Sequence, residues 1–157
     1  MELPENKLTL GWREWVNLPE LGIDQIKAKV DTGAPTSALH AFQVRVFQEG
    51  EKERVEFLIH PIQKDNETVV TCVADVLDRR TVTDSGGHKE ERVVISTELK
   101  IGKFSWPIEV TLTSRDDMLF RMLLGRTAIK NIARVDPARS YRVGKKKRIK
   151  ETTNEKT

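Results

Sequence analysis

Apolar and polar positions alternate along most of this chain, and the alternation predicts strands. Residues 42–46 (FQVRV) and 55–59 (VEFLI) alternate on either side of the turn-like Glu49-Gly50-Glu51-Lys52. Residues 68–76 (TVVTCVADV) put Val70, Cys72, Ala74 and Val76 on one face, and 26–30 do the same with Ile26, Ala28 and Val30. Residues 79–84 and 91–96 flank Ser85-Gly86-Gly87-His88, which predicts a long hairpin with a glycine tip. Residues 108–113 (IEVTLT) alternate again. The best helix pattern begins near Arg126, in RTAIKNIA, and Pro137 predicts the last ordered connection. β-Branched strands at intervals of about 8–12 residues predict an all-β sandwich or barrel.

Composition narrows this little. The 157 residues suit one domain, 38% hydrophobic and 32% charged. No apolar run approaches the ~20 residues of a membrane span. MELPENKL has neither the basic nor the apolar region of a secretory signal, so the cytoplasm is the expected compartment. Cys72 stands alone, which excludes an intramolecular disulfide and an all-cysteine zinc site. His40, His60 and His88 form no HExxH pair. The net charge of +3 comes from the end of the chain. Residues 144–157 hold six Lys or Arg and two Glu, a balance of +4, leaving 21 basic and 22 acidic residues before them, a balance of −1. The expected organisation is therefore a domain over 1–143 and a basic, disordered tail over 144–157. The tail reads equally as a solubilising terminus and as a contact for acidic partners. The charge does not by itself argue for nucleic acid.

The candidate chemistry lies in 26–41, IKAKVDTGAPTSALHA. A strand with one apolar face runs into Asp31-Thr32-Gly33-Ala34. A carboxylate at the end of a buried strand is costly unless hydrogen-bonded. Gly33 lets the chain turn sharply and brings backbone N–H groups to that carboxylate, and Thr32 offers a hydroxyl that can tie two such loops together. Asp-Thr-Gly alone is a weak signal, expected by chance in roughly 3 of 100 chains this long. A second element, FRMLLGRTAI at 120–129, sets Leu123-Leu124-Gly125 before the helix. The order of Asp-Thr-Gly, glycine-tipped hairpin, apolar-apolar-Gly and helix is far more specific than any one piece.

On these segments, together with GWREWVNLPELGI (11–23), RRTVTDSGG (79–87), RVVI (92–95) and LTSRDDMLFRMLLGR (112–126), residues 8–135 resemble the bacterial retropepsin-like family often labelled "ATP-dependent zinc protease". The resemblance implies a closed acid-protease barrel with one short helix after the Leu-Leu-Gly strand. It also implies an aspartic peptidase acting as a homodimer, with Asp31 catalytic and Thr32 and Gly33 shaping its loop. Members are often encoded beside RimK-type ligases that add glutamates to protein C-termini, so a glutamate-rich peptide or protein tail is the implied substrate. Ala34, Arg79, Arg80, Ser85, Gly86, Gly87 and Arg126 are the residues expected to line its cleft, with Lys89 and Arg92 nearby. Arg79 and Arg80 read equally as surface charges, and Glu90 and Glu91 dilute the basic hairpin. Pro35 departs from the family, whose members usually carry Arg there; the basic group is missing and the loop is stiffer.

The words "ATP" and "zinc" in that label find no counterpart among the residues. There is no GxxxxGK[ST] phosphate cradle. Zinc catalysis needs about three protein ligands in defined geometry, whereas His40, His60, His88 and Cys72 are scattered. No metal or cofactor is expected. His40 reads first as structural, His88 as solvated and Cys72 as buried and inert; Trp12, Trp15 and Trp106 read as packing or interface aromatics, and Asp116-Asp117 as a solvated turn. Two alternatives stay open at this point: a non-catalytic dimeric binding module on the same fold, and a metal-dependent peptidase.

Overall fold

The computed structural model describes residues 8–83, 86–114 and 119–146. In these residues the chain forms β1 (Leu8–Gly11), β2 (Arg13–Leu18), a 3₁₀ turn (Pro19–Leu21), β3 (Ile23–Val30), β4 (Ser37–His40), β5 (Phe42–Glu49) and β6 (Lys52–Ile59). There follow β7 (Val70–Asp75), β8 (Asp78–Thr83), β9 (Lys89–Ile101), β10 (Phe104–Thr113), β11 (Met122–Leu124), α1 (Arg126–Ile129) and β12 (Ala133–Asp136). Six strands in the order β10-β4-β11-β3-β2-β9 close on themselves through the antiparallel β9–β10 pair, which removes open edges. The fold is the all-β closed barrel expected. β8 extends beyond β9 and so stands outside the closure; β5-β6-β7 form a separate sheet, and β1 pairs in parallel with β12.

Inward positions follow the predicted alternation. Ile26, Ala28 and Val30 of β3 are buried, as are Val16, Leu99, Ile108, Val110 and Met122 from neighbouring strands. Val55, Phe57, Ile59, Cys72 and Ala74 of the second sheet join the same core. Trp106 is buried in it, its indole N–H donating to the Ala128 carbonyl at 2.8 Å, so that its one polar atom is satisfied.

Several local expectations shift. The alternation over 42–46 breaks because Gln43 takes φ +51° and the β5–β6 register slips between Phe42 and Arg45. Val44 is left 40% exposed as a result. β9 runs five residues past Ser96 to Ile101 and turns at Gly102, φ +60°, directly into β10. The helix stops at Ile129, because Lys130 is extended and Asn131 is left-handed. Pro137 does not end the ordered chain. Residues 139–144 strap back over β1 and β2, with Trp12 N–H bonded to Arg139 O and Tyr141 stacked on Trp15. Gly144 lies within the strap and is buried, one residue beyond the expected domain boundary.

Glu14 holds the strap. Its fully buried carboxylate accepts four backbone N–H bonds, from Gly11 and Arg142 on Oε2 (2.6 and 3.0 Å) and from Val143 and Gly144 on Oε1 (3.0 and 2.7 Å). A Cβ at Gly144 would collide with the Trp15 carbonyl oxygen, so only glycine fits there.

Candidate active site

The loop 31–36 leaves β3 and returns as β4 two places away in the sheet, with β11 threaded between them. This arrangement places Asp31 against the end of β11, and residues 124–127 fasten the loop at four points and the first residue of β4 at a fifth. Asp31 N–H donates to Leu124 O at 2.8 Å, and Gly125 N–H donates to Ser37 Oγ at 3.0 Å. Arg126 N–H donates to Ala34 O at 2.7 Å, and Thr127 N–H to Pro35 O at 3.1 Å. The Arg126 guanidinium donates to Thr32 O at 2.9 Å. Loop and Leu-Leu-Gly segment are thus one rigid unit.

Within it, Asp31 Oδ1 accepts the Gly33 N–H at 3.0 Å and Asp31 O accepts the Ala34 N–H at 3.2 Å. The Asp31 side chain is half-buried and fixed by its own backbone, while Thr32 and Gly33 are exposed beside it. Gly33 does not take a left-handed φ. Its contribution is close approach, since a Cβ there would lie 3.3 Å from Asp31 Oδ1. Gly125 is the stricter position: a Cβ would come within 2.5 Å of the Thr36 carbonyl carbon and 2.9 Å of Ser37 N. Ser37, buried on β4 and bonded to both Gly125 and Thr111, is a positioning residue that sequence reasoning missed. A buried hydroxyl six residues after the aspartate was its only signal.

Asp31, Thr32, Gly33, Ala34 and Arg126 come together; the other expected cleft residues divide. A groove of about 680 Å³ runs from Thr32 and Arg126 past Trp12, Val30, Ile129 and Lys130. Arg80 lines a separate cavity with Thr36, Ser96 and Thr127, its guanidinium bonded to Asp78 and Glu109 at 3.0 Å each. Arg79 points to Glu53 of β6 at 2.6 Å. Both arginines therefore have carboxylate partners, which weakens the expected basic cleft. Arg92 likewise bonds Glu90 at 2.7 Å. Gly86 and Gly87 are exposed at the tip of the β8–β9 hairpin, Gly87 with φ +85°. Ser85 and the pair Asp116-Asp117 lie outside the described residues.

The remaining candidates are placed away from the loop. Burial pushes the Cys72 thiol up to about 12, so it is a poor nucleophile. His40 is buried at the far end of β4, and His60 stacks on Phe42. Among the described residues, no three His, Cys, Asp or Glu side chains converge as metal ligands would. No helix among them is long and apolar enough to cross a membrane.

The chain is 42% identical over 144 residues to a probable alpha-L-glutamate ligase of Shewanella pealeana, covering 92% of this chain and 31% of that protein. It is 47% identical over 138 residues to a protein of the same name from Desulfotalea psychrophila, covering 88% and 30%. The chain thus spans about a third of the length of the curated relatives it matches. A crystal structure of a Legionella pneumophila protein of unknown function superposes with a TM-score of 0.73 at 24% identity, covering 87% of this chain and 98% of that one, which speaks for the fold alone. The family model described as retropepsin-like aspartic endopeptidase RimB matches residues 9–146, and the chain belongs to this RimB-like family.

Proposed function

We propose that this chain is an aspartic peptidase working as a two-fold homodimer, with Asp31 from each copy forming one catalytic pair. The observation that carries the reading is the Asp31 loop, pinned together with Ser37 at five points by residues 124–127, with the Asp31 carboxylate half-buried. Such fixing is what a catalytic acid requires. Peptide hydrolysis by carboxylates needs an acid and a base together, and this chain has one Asp-Thr-Gly. Two copies supply both, because like charges ~3 Å apart share one proton. The ionised carboxylate takes a proton from water as its oxygen adds to the peptide carbonyl carbon, and the protonated partner donates to the carbonyl oxygen. Collapse of the tetrahedral species then breaks the C–N bond as a proton passes to the leaving nitrogen. The Thr32 hydroxyls tie the two loops, and the Gly86-Gly87 hairpin closes over the peptide.

The substrate class is a glutamate-rich peptide or protein tail. Support comes from Arg126 and Lys130 on the groove beside Thr32 and from the glutamate-ligase name of relatives that share this region. Arg79 and Arg80 contribute less than their charges suggest, since each is paired. The test offers oligoglutamate and neutral peptides side by side, at low and high salt and with a chelator present. Cleavage of the acidic peptide in chelator, weakened by salt and by Arg126→Ala and abolished in Asp31→Asn, is expected. Activity that needs added zinc, or that survives Asp31→Asn, overturns the reading. Equal turnover of neutral peptides without a salt effect removes the glutamate preference.

A further inference from the structure

At the end of β11 opposite the Asp31 loop, Arg121 carries a charge with no counterpart among the described residues. Its side chain is 7% exposed and no carboxylate lies within ion-pairing distance of it among the described residues. Its Nε has no hydrogen-bond partner among the described residues. Among the described residues its one side-chain bond is a long one, Nη2 donating to the neutral Asn66 Oδ1 at 3.3 Å. Asp65, the carboxylate next to Asn66, is turned back on its own loop, accepting from Glu67 N, Thr68 N and Thr68 Oγ1. Those bonds, the Thr68 hydroxyl first, lower the Asp65 pKa and hold it ionised there. A guanidinium buried without a counter-charge is strongly disfavoured, so the site is built for something that supplies one.

The space for it is present. Arg121 opens onto a cavity of about 390 Å³ shared with His40, Phe42, His60 and Asn66. His60 is fixed by stacking on Phe42, centroids 4.4 Å apart, and by its Nδ1 contact with Thr68 O at 3.2 Å, so the wall is preformed. We propose that this cavity binds a carboxylate group, held by the free edge of the Arg121 guanidinium, with the ligand's methylenes against the Phe42–His60 stack. A planar two-oxygen acceptor matches the guanidinium fork, and one carboxylate balances one cation. The site is separate from the catalytic loop: Arg121 and Leu124 lie at opposite ends of β11, about 10 Å apart along the strand. It does not rest on the peptidase reading. The ligand is either a free small carboxylate or a carboxylate borne by an acidic polypeptide.

Calorimetric titration of the full chain in low-anion buffer tests it, using glutarate, L-glutamate, triglutamate and inorganic phosphate as probes. Saturable binding of glutarate is expected, weakened at least about tenfold in Arg121→Gln. The sharper variant is Asn66→Asp at an exposed position, which sets a carboxylate on the guanidinium from within the chain. It should abolish glutarate binding and raise the thermal midpoint, and it decides the question alone if Arg121→Gln does not fold. Asp31→Asn should bind as wild type does, which separates this site from the peptidase. Equal affinity for glutamate and triglutamate assigns a free carboxylate, and affinity rising with chain length assigns a polypeptide. No saturable binding, binding indifferent to Asn66→Asp, or preference for phosphate overturns the proposal.

Discussion

Replacing Glu14 by Gln changes one atom type, yet it should unfold a large share of molecules under mild denaturant. Each carboxylate oxygen accepts two backbone N–H groups: Gly11 and Arg142 on one side, Val143 and Gly144 on the other. A glutamine amide has one oxygen. Whichever way it is turned, its NH₂ faces two N–H donors, so two bonds are lost and two donors are left buried against a third. Hydrogen bonds to a charged group contribute about 1.5–3 kcal/mol each, so the loss should be about 3–6 kcal/mol. Against a typical stability of ~5–15 kcal/mol this is severe. Equilibrium urea unfolding of wild type and variant measures it, and amide exchange at Arg142, Val143 and Gly144 should accelerate beyond the global change, because these N–H groups lose their acceptor first. A loss below about 1 kcal/mol, the value of one neutral hydrogen bond, would refute the clasp.

Two further outcomes follow from the same geometry. Gly125→Ala should destabilise by about 1–3 kcal/mol from overpacking, because the clashing atoms are backbone, and should lower peptidase activity further than stability alone explains; wild-type activity at a temperature where the variant is folded would contradict this. Cys72 should resist a thiol-specific reagent at pH 8 in the native state and react once unfolded. Its folded pKa is raised above the unfolded value, so the stability linked to it is complete below about pH 8.5 and is lost as pH rises toward about 12. Rapid native-state labelling would show that the β7 face is open.

What the sequence made legible was local. Period-two alternation located the strands, and Asp31-Thr32-Gly33 and Leu123-Leu124-Gly125 each lie in a short run whose residue types dictate the turn or the close approach. Their joining was read by resemblance, and the five bonds that perform it link residues about 90 positions apart. Glu14 is not legible in the sequence because three of its four partners lie 128–130 residues away, and an isolated Glu in an alternating strand looks like a surface charge. The strap was hidden for the same reason, behind a proline and a lysine run that read as a tail. Arg79 and Arg80 were visible as charges, but Glu53 and Glu109, which pair with them, come from other strands. The bulge at Gln43 carries no glycine to announce its positive φ.

The central claim is that one working site needs an Asp31 from each of two chains, and subunit mixing measures this directly. Wild type and Asp31→Asn are unfolded together, refolded at a series of ratios and fixed total concentration, and assayed on oligoglutamate. If the pair of aspartates is the catalyst, mixed dimers are dead and activity follows the square of the wild-type fraction, falling to about a quarter at equal mixing. A linear decline, with about half the activity left at equal mixing, would mean that each chain works alone and would contradict the account.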